Sequence, residues 1–173
     1  MSAFSSWDTY NVIAEHVIET LQTDTELATA GSVEIATWES EPRETAAEYN
    51  DHELPAVSVD VVHAGQEIIP LSKMTSATFS VVIITTTGGQ ASLIAAKQMA
   101  KRIAARIERV LRQQNRANKQ LSDVATDLEG GMSDSLRLTN VATLTDGGVI
   151  NNVLRGAAAT TCDITIDFTT PID

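Results

Sequence analysis

Any catalytic or metal centre in this chain would have to come from three histidines, one cysteine, a pair of late aspartates and one glycine turn. His16, His52 and His63 fall on a predicted helix, in a charged stretch and at a strand end. No two of them have the three- or four-residue spacing that lets imidazoles share a metal on one helix, and no repeated carboxylate motif adjoins them. Cys162 is the only cysteine, which rules out an intrachain disulfide and a thiolate cluster built from one chain. It alternates inward with Ile164 and Ile166, the pattern of a buried structural thiol; a nucleophile would need an accessible, electropositive setting. Asp163 and Asp167 project from the same side of one strand, and paired carboxylates can do acid–base work. Their threonine-rich neighbours favour an ordinary outer strand face. Thr87-Gly88-Gly89-Gln90 joins a predicted strand to a predicted helix, where free amides can cradle phosphate. It lacks the Lys-Ser/Thr pair of a phosphate loop and the spacing of a dinucleotide fingerprint, so it reads as a tight turn. The sequence therefore predicts no catalytic residue, no cofactor and no metal, and an enzyme is the last of three function classes.

Charge is the stronger signal. Between residues 90 and 119 lie eight of the twelve basic residues against one acid, Glu108, a segment charge of +7 that leaves −18 elsewhere in a chain of net charge −11. So acidic a chain is unsuited to general nucleic-acid binding, which needs clustered Lys and Arg to displace phosphate counterions. Segregated charge instead favours pairing between copies or with a complementary partner. At about 100° per residue, Arg102, Arg106, Arg109 and Arg116 fall on the side of a helix opposite its apolar stripe. These four are the candidate subunit or partner interface; the plainer alternative is solvated surface.

The elements that would position these groups follow from length and pattern. A chain of 173 residues, 43% apolar and 20% charged, suits one folded domain over 1–173. With only seven aromatic residues, its core must be Val, Ile, Leu and Ala. The N-terminus has no basic run and no apolar h-region, and the longest strongly apolar run, 81–84, is too short to span a bilayer. The expectation is a soluble protein made in the cytoplasm, with no membrane partner.

Within 7–27, Tyr10, Ile13, Ala14, Val17, Ile18 and Leu21 predict a helix that ends near Thr23 to Thr25, with Ser6 or Asp8 as its cap. A short strand over 33–37 precedes an exposed charged loop, 39–53. Val57, Val59 and Val61 alternate with Ser58 and Asp60, a half-buried strand with Pro55 near its start. Gly65 and Pro70 predict a long turn or splayed connection over 64–76. The strand 78–87 is apolar on both faces, which predicts a central position covered on both sides, or on one side by a partner subunit. Leu93, Ala96, Ala100, Ile103, Ile107, Val110 and Leu111 make one stripe of a long helix, 90–115, and its alanines permit close approach to the sheet. Residues 115–135 read as a mobile polar connection, long enough to suggest a functional or disordered segment. A strand over 135–145, a turn at Asp146-Gly147-Gly148 and a last strand over 162–168 complete the pattern. The fold class is α+β: a mixed, mainly antiparallel sheet of about four to six strands, with an N-terminal helix and one long amphipathic helix packed on it.

This order of elements resembles the tail terminator, or tail completion, proteins of long-tailed bacterial and archaeal viruses. The resemblance rests on an N-terminal helix, an extended segment opening on Leu54-Pro55-Ala56-Val57, an apolar strand like 79–86, a long helix like 91–114 and a closing strand like 162–168. It spans roughly 10–168 and is one of pattern, without a diagnostic motif. It implies a homo-oligomer, commonly a hexameric ring, at the head-proximal end of the tail tube. Such a ring stops tube polymerisation and presents a surface to the head-completion or connector protein, and DNA passes through its bore without specific binding. The implied location is the virion tail or neck, assembled in the host cytoplasm. Residues 115–135 depart from small members of that family. The alternative within reach of the same pattern is another neck or head-completion connector, or an adaptor-type binding module.

Overall fold

The alternation of Val57, Val59 and Val61 continues into a long strand, β2, Ala56–Ile69. In the computed structural model, which describes residues 6–28, 34–45, 48–69, 74–88, 92–114, 127–128, 131–132, 135–150 and 153–169, β2 pairs antiparallel with β3, Met74–Thr87. A second hairpin joins β4, Arg137–Ile150, to β5, Val153–Phe168. The two hairpins are joined by β3 and β5, which pair from Thr75↔Phe168 to Thr87↔Gly156. A short strand, β1, Thr37–Glu39, adds in parallel to β2 through Thr37↔Ala56. The result is one five-stranded sheet in the order β1-β2-β3-β5-β4, with the most apolar strand at its centre.

The helices lie on one face of this sheet. Helix α1, Ser6–Gln22, ends close to the expected 23–25 and is followed by a single turn, α2, Thr25–Ala28; the Asp24 carboxylate between them accepts the Leu27 amide at 2.7 Å and so caps that turn. Helix α3, Leu93–Gln113, begins at Ser92, whose side chain accepts the Ala95 amide at 3.1 Å. Ile13, Val17 and Leu21 of α1 and Ile103, Ile107 and Leu111 of α3 bury completely against Val57, Val59, Val81, Ile83, Ile164, Ile166 and Phe168. Apolar area removed from water at about 25 cal/mol per Å² drives this packing. The alanine rule also holds: Ala100 and Ala104 cluster with Ala158, and a Cβ on Gly156 would lie 2.3 Å from the Ala96 carbonyl oxygen. Helix α3 thus sits directly on the backbone of β5.

Several sequence expectations are corrected. Among the described residues of 64–76, the chain is strand: β2 runs to Ile69, β3 starts at Met74, and Gly65 marks a register shift in a continuing ladder, which is a bulge and not a break; Pro70 lies outside the described residues. Asp146, Gly147 and Gly148 are strand residues paired with Ala157, Gly156 and Arg155, because a neighbour's backbone hydrogen bonds outweigh turn propensity. β1 begins where the predicted strand 33–37 ends. β3 is central as expected, and the chain's own helices cover only one of its sides. Ala77, Phe79, Val81 and Ile83 are buried while Val82 and Ile84 are half-buried on the opposite face, over which no helix of the described residues lies. In β4, Asn140 takes φ 55° at a register shift between Thr139 and Ala142, a left-handed conformation that Asn tolerates better than most residues.

Of the segment 115–135, the described residues touch the body of the fold. Leu128 is buried, Gly131 bridges to Phe168, and the Met132 amide donates to the Asp167 carbonyl at 2.9 Å. Arg116 and the rest of that segment lie outside the described residues, as do Gly89 and Gln90 of the glycine turn.

Candidate functional site

The predicted interface residues divide once they are placed on α3. Burial of Ala96, Ala100, Ile103, Ala104, Ile107, Val110 and Leu111 fixes which side of the helix meets the sheet. Arg102 and Arg109 are exposed on the far side, with Lys97 and Lys101 beside them, and among the described residues none of the four has an ion-pair partner. Arg106 lies on the flank facing α2 and is engaged within the chain. Its Nε and Nη2 donate to the two Asp24 carboxylate oxygens at 2.9 and 2.6 Å, and its Nη1 lies 2.8 Å from Glu26. Only 17% of its side chain is exposed. This two-pronged guanidinium–carboxylate contact holds Asp24 below the usual carboxylate range and Arg106 above its own. Arg106 therefore fastens α2 to α3, a role that a spacing argument along one helix could not distinguish from an outward charge.

The other flank of α3 is tied to the sheet. Thr143 Oγ1 donates to Glu108 at 2.7 Å, and Arg112 bridges Glu108 at 2.9 Å and the Val141 carbonyl at 2.9 Å. The Thr143 hydroxyl first, and Arg112 second, hold the Glu108 carboxyl below its ordinary range. What remains outward is a ridge of Lys97, Lys101, Arg102 and Arg109. Ala105, Glu108, Arg109, Arg112 and Gln113 line a shallow depression of about 480 Å³ beside it, and at one end Ile94 is 69% exposed.

The charged loop 39–53 is more ordered than its composition implies. Arg43 donates to Glu39 at 2.9 Å and to Glu53 at 2.8 Å and stacks 4.2 Å over the Tyr49 ring. Arg43 pulls the Glu53 carboxyl down to about 2. Tyr49 is buried, its hydroxyl donates to Glu39 at 2.8 Å, and burial, followed by that carboxylate, pushes the phenol up to about 12. Tyr49 packs with Leu54 and Ala56. Ala56 lies on the strand face opposite Val57, so the loop folds under the end of the sheet that the helices leave open.

Arg155 fixes that loop from the sheet side. Nearly fully buried, it donates from Nη2 to the Tyr49 carbonyl at 2.9 Å and pairs through Nη1 with Asp51 at 3.0 Å. Gly88 makes room for it, since a Cβ there would fall 2.4 Å from Nη1. Sequence reasoning missed this residue. The available signal was a lone arginine in a strand of small residues, 156–159, where a buried cation needs a partner.

The remaining chemical candidates are engaged in structure. His16 Nε2 lies 2.6 Å from Asp127, His52 sits in an exposed 3-10 turn, Asp51–Glu53, and His63 lies against the Phe79 ring at 5.5 Å. Among the described residues no three His, Cys, Asp or Glu side chains cluster as metal ligands would. Cys162 is buried, and burial chiefly, with Asp163 adding, pushes its thiol up to about 12. Asp163 accepts from Ser80 at 3.0 Å and Asn140 at 2.7 Å. Arg137 reaches both carboxylate oxygens of Asp167 at 3.1 Å and lowers its pKa. The Thr87 hydroxyl donates to the Ala96 carbonyl at 2.6 Å, so it points into the helix packing.

No protein-family model and no curated protein matches the chain. Among solved structures, a chain from the virion of a native gene transfer agent particle is similar, with a TM-score of 0.49 and 18% identity over 89% of this chain and 93% of that chain.

Proposed function

We propose that this chain is a structural virion protein: a ring-forming tail terminator at the head-proximal end of a tail tube, which stops tube growth and joins it to the head connector. The observation that carries the reading is the order of elements named above, from Leu54-Pro55-Ala56-Val57 through the long helix to the closing strand, which folds as one sheet with both long helices on one side. The outward arginines support it. Arg102 and Arg109 are exposed charges on a rigid helix in a chain of net charge −11, and such a patch suits contact with acidic protein surface. A heterologous contact of that kind closes into a ring when its rotation allows. The acidic remainder of the surface would repel the phosphates of DNA crossing the bore. The reading is non-enzymatic, with other virion proteins as partners and the tail or neck as location.

The test is assembly. Light scattering and negative-stain microscopy of the purified chain, alone and with tail-tube protein, should reveal a closed symmetric oligomer that caps tube ends and halts elongation. A chain monomeric at every concentration and inert towards tube protein would overturn the proposal. A ring that ignores tube ends but binds the head-side connector would move it to another neck component.

A further inference from the structure

The two charged regions lie on opposite layers of the molecule. The basic ridge of α3 is outward on the helix layer. The loop 39–53 lies against the sheet's open face, through Tyr49, Leu54 and Ala56. That loop carries six carboxylates and one arginine. Arg43 pairs with both Glu39 and Glu53, and Arg155 pairs with Asp51. Glu41, Glu44 and Glu48 are left exposed; Arg43 reaches the Glu48 carbonyl at 3.0 Å, but no cation is bonded to any of the three carboxylates among the described residues. The lock works twice: it uses the paired acids to fix the loop's shape, and it leaves three further carboxylates on the same surface.

We infer that the α3 ridge, Lys97, Lys101, Arg102 and Arg109, docks on the acidic loop of a second copy of this chain. This rests on the ring reading above and assigns its contact. Charge complementarity selects the occupant, because each copy holds four outward cations on one layer and three outward carboxylates on the other. A patch meeting a different patch is a heterologous contact, repeatable around a ring. Both sides are held rigid before contact, α3 by its buried stripe and the loop by Arg43, Tyr49 and Arg155, so little conformational entropy is lost on docking. Exposed Ile94, on the same side of α3, gives the contact an apolar component that salt does not screen. Arg106 is excluded, because it holds α2.

Two charge-reversed variants test this in trans. The helix variant carries Lys101→Glu, Arg102→Glu and Arg109→Glu. The loop variant carries Glu41→Lys, Glu44→Lys and Glu48→Lys. Each alone now opposes like charges and should weaken self-association by on the order of a hundredfold, with circular dichroism and melting close to the wild type. Mixed one to one in alternation, the reversed ridge meets the reversed loop and the intact ridge meets the intact loop, so every contact again joins opposite charges, and sedimentation should show the oligomer restored. If either variant assembles like the wild type, or the mixture fails to restore assembly, the inference is wrong. If a reversed variant fails to fold, Lys101→Gln, Arg102→Gln and Arg109→Gln replaces it, and an unchanged salt dependence of assembly then overturns the contact. Loss of duplex-DNA binding in the helix variant with assembly intact would assign the ridge to DNA and also overturn it. In all these failures the wild type still forms a ring; a wild type that stays monomeric sinks the ring reading itself.

Discussion

The two faces of the sheet are built on different principles. On the helix-covered face, Phe79, Val81, Ile83, Ile164, Ile166 and Phe168 are all but inaccessible to water, and their contribution depends on area and packing and little on direction. On the open face, Ser80 meets Asp163, Thr78 meets Thr165 at 2.9 Å, and Arg137 spans Asp167 and Ser76. Those contacts depend on register and angle, and each replaces a hydrogen bond to water, for a net of about 1 kcal/mol. The first face holds the fold. The second can be redecorated for a partner without unfolding it.

The sharpest way to break this comparison is to truncate one residue on each face. Phe79→Ala should cost about 3–5 kcal/mol, the lost transfer energy plus a cavity that the packed core cannot fill. Thr165→Val, on the other side of the same sheet, should stay within about 1 kcal/mol. Urea unfolding followed by circular dichroism measures both. Equal costs would mean that the open face is as structural as the closed one.

A smaller loss tests how closely helix and sheet meet. Gly156→Ala would place its Cβ 2.3 Å from the Ala96 carbonyl oxygen, and since that atom belongs to the backbone, α3 must shift. Overpacking of this kind costs about 1–3 kcal/mol. A thermal midpoint equal to the wild type would show that α3 rides more loosely on β5 than this contact requires.

These cases also explain what was legible in the sequence. Water exclusion acts on residue type, so the alternation around Val59, the stripe from Leu93 to Leu111 and the alanine approach to β5 could all be read from spacing. Strand extent could not be read in the same way. Gly65 and Gly147 look like breaks until a neighbouring strand supplies the hydrogen bonds that keep them in the ladder. Pairings across long separations were least visible. Arg106 looked like one more outward arginine because Asp24 and Glu26 come from another helix, and Arg155 drew no attention because its partners lie about a hundred residues away.

The closed face should also govern the alkaline limb of stability. Cys162 is raised from 9.0 to about 12, so the folded state favours the neutral thiol. A raised group stabilises fully below its unfolded pKa and loses that contribution as pH rises through the folded one. Stability should fall by about 1.4 kcal/mol per pH unit above 9. Tyr49, in the loop against the open face and raised from 10.0 to about 12, joins above pH 10. Thermal midpoints from pH 8 to 10 should flatten in Cys162→Ala, and an identical slope in the variant would assign the limb elsewhere.

The acid limb brings in the open face, through the smallest effect. Glu53 is lowered from 4.5 to about 2, first by the Arg43 guanidinium and then by the Asn50 amide. A depressed carboxylate contributes above its unfolded pKa, and the contribution disappears as pH falls from 4.5 towards 2. Glu53→Gln removes that charge while keeping the shape, so its midpoint should lie below the wild type at pH 7 and meet it near pH 2. The pair is partly exposed, so salt should shrink the gap at pH 7. A gap that persists unchanged at pH 2.5 would mean that Glu53 acts by packing, and the loop would then owe its shape to Tyr49 and Arg155. If the gap closes as expected, the loop under the open face is held by charge, and conditions that titrate or screen it will loosen the loop before the core responds.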